Sequence, residues 1–149
     1  MIAIASDHGG YDLKIQIVKY LEEKGHAYKD LGTCECGKSV DYPDYGLAVA
    51  EAVAKGECEK GIVVCGTGLG ISIAANKVPG IRAALCTDSY MARMSREHNN
   101  ANILALGGRV VGVELAMDIV ETWLKSEFQG GRHQTRVDKI TAIENKYLK

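Results

Sequence analysis

Apolar residues fall in short unbroken runs separated by amphipathic stretches, and this alternation begins at the first residue. Met1–Ser6 reads as a strand that ends in the turn Asp7-His8-Gly9-Gly10. Leu13, Ile17, Val18 and Leu21 then recur at helical spacing and stop near Gly25. His26–Leu31 predicts a second strand, followed by a polar loop carrying Gly32, Cys34, Cys36 and Gly37. Pro43 suits the first turn of a helix running through Ala48–Ala54 to Gly56. Gly61–Cys65 is a third strand, and Gly66-Thr67-Gly68-Leu69-Gly70 opens the next helix. Ile81–Cys86 and Ile103–Leu106 read as the fourth and fifth strands, with a helix at Ser89–Glu97 between them. Ala116, Ile119, Val120, Trp123 and Leu124 mark a longer helix. Gly130-Gly131 breaks the chain, and a last helix is expected from about Thr135 to Tyr147.

Strands that are apolar throughout, rather than alternating, are buried on both faces and therefore parallel. With helices between them, the pattern predicts a doubly wound, Rossmann-like three-layer α/β sandwich around a five-stranded parallel sheet. The chain's 149 residues suffice for one core, and no repeat, low-complexity tract or linker divides them. A single domain over 1–149 is expected.

Composition narrows the function more than the fold. Hydrophobic residues at 46% and charged residues at 25% are ordinary for a globular protein. A net charge of -1 argues against a broad footprint for nucleic acid or an acidic membrane, so any anion must be recognised by a few placed groups. No run approaches the roughly 20 apolar residues a membrane span needs. The start, MIAIASDHGG, lacks the basic region of a signal peptide. The five cysteines are odd in number and form no CxxC pair, which supports neither a disulfide framework nor a zinc site. Cys34 and Cys36 are expected as exposed loop thiols in a reducing, cytoplasmic setting.

In open α/β sheets ligands bind beyond the carboxyl ends of the strands. That rule selects Asp7–Gly10, Cys65–Gly70, Thr87–Asp88 with the nearby His98-Asn99, and Gly107–Arg109. The glycines of Gly66–Gly70 let backbone approach a ligand and present N–H groups to an anion; the same loop could be a tight strand-to-helix turn without a ligand. A dinucleotide fingerprint fits poorly, because G-x-G-x-G lacks the required spacing, follows the third strand, and has no acidic residue about 20 positions on. Cys65 ends its strand just before that loop, where the helix terminus favours a thiolate able to remove a proton or attack an electrophile. It could equally be a small buried hydrophobe. Asp7 could bind a sugar hydroxyl or simply cap the following turn. A lone histidine such as His98 is more often structural than catalytic. Arg132 and Arg136 flank the start of the final helix, where guanidinium groups can clamp a phosphate.

Several separate segments together resemble the type B ribose-5-phosphate isomerase family, whose relatives include the galactose-6-phosphate isomerase subunits. They are Ala5–Gly10, Asp41-Tyr42-Pro43-Asp44, Cys65–Gly70 with Ser72–Lys77, Arg96–Asn102, and Arg132 through Arg136, so the match spans essentially the whole chain. The resemblance implies an aldose-ketose isomerase that interconverts ribose 5-phosphate and ribulose 5-phosphate through an enediolate. It implies Cys65 as the base, Thr67 beside the reacting oxygens, and His98 assisting ring opening. The backbone of Gly66, Gly68, Leu69 and Gly70 would hold the enediolate. Asp7, Tyr42 and Asn99 would contact sugar hydroxyls or reacting oxygens. His8, Arg132 and Arg136 would bind phosphate, with Arg109 a weaker candidate.

Some members of that family carry a carboxylate base one residue beyond the last loop glycine. Ile71 stands there in this chain, which places it with the cysteine subgroup. The family is typically dimeric or tetrameric, with sites completed by a neighbouring subunit, so a homodimer or homotetramer is expected, with the C-terminal helix at the interface. No metal or other cofactor is expected. Two further readings stay open: an isomerase of a six-carbon aldose phosphate or a free aldose such as allose, and a non-catalytic phosphate- or nucleotide-binding module. A cysteine-nucleophile transferase is a third.

Overall fold

The computed structural model describes residues 1–33 and 38–148; Cys34 and Cys36, expected as exposed thiols, lie outside them. Five strands, β1 (Ile2–Ser6), β2 (Tyr28–Asp30), β3 (Lys60–Cys65), β4 (Ala83–Leu85) and β5 (Ile103–Gly107), form one parallel sheet in the order β2-β1-β3-β5-β4. The helices are α1 (Tyr11–Glu23), α2 (Tyr42–Ala54), α3 (Leu69–Ala75), α4 (Ser89–Glu97), α5 (Val113–Lys125) and α6 (Arg132–Tyr147).

The order of strands fixes which helix covers which face. A crossover between parallel strands is right-handed, so reversing direction across the sheet sends the connecting helix to the opposite side. The chain steps outward from β1 to β2, crosses back to β3 and on to β4, then returns to β5. Accordingly, α1, α4 and α5 pack on one face with Ile4, Ile62 and Leu104. On the other face α2 and α3 pack with Ala5, Val63 and Ala105. The expected doubly wound sandwich is the one observed.

The central strands β1, β3 and β5 are buried almost throughout, as unbroken apolar runs predict. The edge strands differ. β2 is largely exposed and β4 only half-buried, each three residues long with one neighbour. Helix α6 begins at Arg132, three residues before the expected start, because Gly130 and Gly131 take the positive φ values of 66° and 56° that turn the chain just ahead of it. This brings Arg132 into the helix one turn from Arg136.

Candidate active site

Cys65 is the last residue of β3, the middle strand, which leads to α3 on one face while its neighbours β1 and β5 lead to α1 and α5 on the other. That is the switch point at which an open α/β sheet leaves a crevice. Cys65 is buried, and its Sγ accepts a hydrogen bond from the Gly68 N–H at 3.1 Å. Gly68 has φ +81°, and a Cβ there would stand 2.5 Å from Leu85 Cδ1 and 2.9 Å from the Leu106 carbonyl carbon. Only glycine meets both conditions, so the turn that aims an amide at the sulfur is written into this residue. The next strand holds the loop in place: the Gly108 N–H donates to the Cys65 carbonyl at 2.8 Å and the Arg109 N–H to the Gly66 carbonyl at 2.9 Å. Thr67 is exposed on the loop, and its Oγ1 accepts from the Leu69 N–H at 3.2 Å.

The end of β1 forms the adjoining wall. Asp7 is buried, and its Oδ1 accepts from the Gly10 N–H at 3.0 Å, so the capping role foreseen for it is real. Its Oδ2 takes no partner among the described residues and remains available to a hydroxyl. His8 Nδ1 accepts from the Val40 N–H at 3.1 Å, which leaves the neutral ring's proton on Nε2 as a donor. Two close approaches complete the crevice. A Cβ on Gly66 would lie 3.2 Å from Arg109 Nη1, and one on Gly9 would lie 3.4 Å from Arg109 Cζ, so the guanidinium covers both glycines. A Cβ on Gly70 would lie 2.6 Å from Tyr42 Cε1, which places the Tyr42 ring against the same loop. Arg109, the weaker candidate from sequence, therefore sits within the crevice.

The placement of His98 and Asn99 beside these groups does not hold. His98 caps the carboxyl end of α4, which runs antiparallel to the strands. The following turn enters the amino ends of the sheet: the Asn102 carbonyl accepts from the Gly61 N–H at 2.9 Å, and the Asn102 N–H donates to the Arg82 carbonyl at 3.0 Å. Four residues of strand separate Gly61 from Cys65, about 13 Å at a rise of ~3.3 Å each. Chain proximity to Thr87–Asp88 misled here, because a helix carries its two ends to opposite sides of the sheet.

At that opposite end a second cluster forms. The His98 ring stacks on the His133 ring with centroids 4.0 Å apart and planes 11° from parallel. His133 is buried in the first turn of α6, between exposed Arg132 and Arg136. Burial holds the His133 imidazolium below its usual range, and the neighbouring His98, Arg132 and Arg136 add to the shift. Two imidazoles and two guanidiniums gathered at one helix start suit an anion. Sequence reading gave His133 no role, since nothing in its spacing announces a stacking partner on another helix. Elsewhere, burial pushes the Cys86 thiol up to about 11, which marks it as an inert core thiol. Among the described residues, no group of three or more His, Cys, Asp or Glu side chains could hold a metal ion.

Comparison with known proteins agrees with this fold. The family model described as Ribose/Galactose Isomerase matches residues 2–140. The solved structure of Clostridium thermocellum ribose-5-phosphate isomerase B is 71% identical, with a TM-score of 0.97 over 99% of each chain. Ribose-5-phosphate isomerase B of Escherichia coli is 54% identical over 97% of each chain. The structure of ribose-5-phosphate isomerase B from Mycoplasma genitalium with bound ribulose 5-phosphate is 44% identical, with a TM-score of 0.92, covering 97% of this chain and 95% of that one.

Proposed function

This chain belongs to the ribose/galactose isomerase family, and on that premise we propose that it interconverts ribose 5-phosphate and ribulose 5-phosphate through an enediolate, with Cys65 as the base. The observation that carries the reading is the Gly68 amide held on Cys65 Sγ at the switch point of the sheet. Cys65 as thiolate takes the proton from C2 of the open-chain aldose, and the C2–H electron pair moves into the carbon skeleton to form the enediolate. The O2 proton passes to O1, the O2 electron pair forms the ketone carbonyl, and the thiol, whose proton exchanges with solvent, delivers a proton to C1. Loop amides from Gly66 to Gly70 and the Thr67 hydroxyl stabilise the enediolate oxygen, an effect commonly worth about 10²–10³ in rate per donor. Asp7 and Tyr42 contact sugar hydroxyls, and His8 with Arg109 reaches toward the phosphate.

His98, Asn99, Arg132 and Arg136 serve the same reaction from a second copy of the chain. Two observations support that reading: these residues sit at the end of the sheet opposite Cys65, and α6 leaves Ile140, Ile143 and Tyr147 exposed along one side. We infer a homo-oligomer, at least a dimer, in which α6 of one subunit brings its basic cluster to the crevice of the next. The whole chain acts as one such unit in the cytoplasm. The structure's described residues include no helix long and apolar enough to cross a membrane.

The test is direct conversion of ribose 5-phosphate by the purified protein, its Cys65→Ala and His98→Asn variants, and a mixture of the two after subunit exchange. Each variant alone should be inactive. In a dimer with shared sites, the mixture should regain about a quarter of parental sites. No turnover by the parent would refute the substrate, and no recovery on mixing would refute the shared site.

A further inference from the structure

Helix α1 buries Leu13, Ile17 and Leu21 against the sheet, and the same face carries a lysine. Lys14 is 1% exposed. A buried ammonium must be fully paired to persist, and this one is: Nζ donates to both Asp30 carboxylate oxygens at 2.9 Å and to the Thr33 carbonyl at 2.7 Å, with the Tyr11 ring 5.3 Å away. Nothing in the proposed chemistry uses it.

Its partners lie where β2 leaves the sheet. Asp30 Oδ1 also accepts from the Gly32 N–H at 3.0 Å. The Ser6 N–H donates to the Gly32 carbonyl at 2.7 Å and the Thr33 N–H to the Ser6 carbonyl at 2.9 Å. Residues 30–33 are thereby fastened to the end of β1, one residue before Asp7 and His8. The contact continues into α2: a Cβ on Gly32 would lie 2.6 Å from Tyr45 Cε1, so the Tyr45 ring rests on this segment. Tyr45 occupies the first turn of α2, whose first residue, Tyr42, covers Gly70. Just before α2, Val40 donates to His8 Nδ1.

We propose that Lys14 is a positioning residue that sets the phosphate and hydroxyl contacts of the site through Asp30, Thr33 and the first turn of α2. The inference rests on the isomerase reading for its kinetic consequence, though not for its structural one. Lys14 touches no reacting atom. It holds the segment against which α2 starts, and that start places both Tyr42 and the amide that orients His8. A purely structural ion pair would stabilise the fold without favouring these contacts.

The test uses Lys14→Met and, because a core substitution can fail to fold, the milder Asp30→Asn, whose side chain is 34% exposed. Amide exchange reports the Val40–His8 bond independently of activity. Each folded variant should speed exchange at Val40 about tenfold or more relative to Val63 in β3, as expected when a local contact opens without global unfolding. KM for ribose 5-phosphate should rise about tenfold, the loss of roughly one hydrogen bond to a charged group, with kcat changed far less. Unchanged exchange at Val40 in both variants, or a fall in kcat with KM unmoved, would overturn the proposal. Selective exchange at Val40 in the two variants, together with a parent protein that does not isomerise ribose 5-phosphate, would leave the clamp standing and remove the isomerase reading.

Discussion

Three glycine-to-alanine substitutions separate the strain of the Cys65 loop from its crowding. Gly112 has φ -70° and nothing within 4 Å of a built Cβ, so alanine there should leave the melting temperature nearly unchanged. Gly25 has φ +75° in open space, so Gly25→Ala adds left-handed strain alone, about 1–2 kcal/mol. Gly68→Ala adds the same strain at φ +81° and forces a Cβ to 2.5 Å from Leu85 Cδ1 and 2.9 Å from the Leu106 backbone. Overpacking of that kind costs roughly 1–3 kcal/mol more. For a chain of 149 residues each kcal/mol lowers the midpoint by about 3 °C. The expected losses are therefore about 3–6 °C for Gly25→Ala and about 6–15 °C for Gly68→Ala, read by calorimetry at one protein concentration. The backbone can relieve the Leu106 clash only by moving, and the amide on Cys65 Sγ moves with it. A displacement near 1 Å at a reacting group commonly costs about 10²-fold in rate, so Gly68→Ala should lose turnover even where it is fully folded. A Gly68→Ala protein that melts with Gly25→Ala and keeps parental turnover would refute this account of the loop.

Two titrating groups give further tests. Because the folded His133 lies below its ordinary value of 6.5, the unfolded chain takes up a proton that the folded chain refuses. Stability should therefore fall as pH drops through and below 6.5, and His133→Phe should flatten that dependence in urea melts; identical pH slopes would contradict the burial of this ring. Cys86, pushed up to about 11, should stay unmodified when the native protein is treated with iodoacetamide at pH 8, while denatured protein is labelled there. Labelling at equal rates in both states, by mass spectrometry, would contradict it.

Much of this architecture is legible in the chain because it follows from local rules. The unbroken runs at Met1–Ser6, Gly61–Cys65 and Ile103–Leu106 fall within a residue of the three central strands, and the glycine loop follows the middle one. Topology then gathers Asp7, His8, Cys65 and Arg109 at one edge without any long-range signal being needed. What the sequence does not carry is direction through space. His98 follows Thr87–Asp88 by few residues, yet the nine residues of α4 carry it to the other side of the sheet. The stack of His98 on His133 joins helices distant in the chain, and no periodicity records it. Lys14 was visible in principle: it shares the face of Leu13, Ile17 and Leu21 at helical spacing, the one charged residue on an otherwise buried side of α1. A lysine there asks for a buried partner, but only the fold names Asp30.

The central claim is that Cys65 moves the C2 proton. It is tested most directly by incubating ribose 5-phosphate in D₂O with parent and Cys65→Ala proteins and following both carbons by NMR. The account predicts conversion with deuterium entering C1 of ribulose 5-phosphate in the parent. Cys65→Ala should still bind ribose 5-phosphate, with affinity within about tenfold, because the groups that hold the sugar and phosphate are untouched; it should show neither conversion nor exchange at C2. Exchange at C2 that persists in Cys65→Ala would mean that another group removes the proton, and the assignment of Cys65 as base would be wrong.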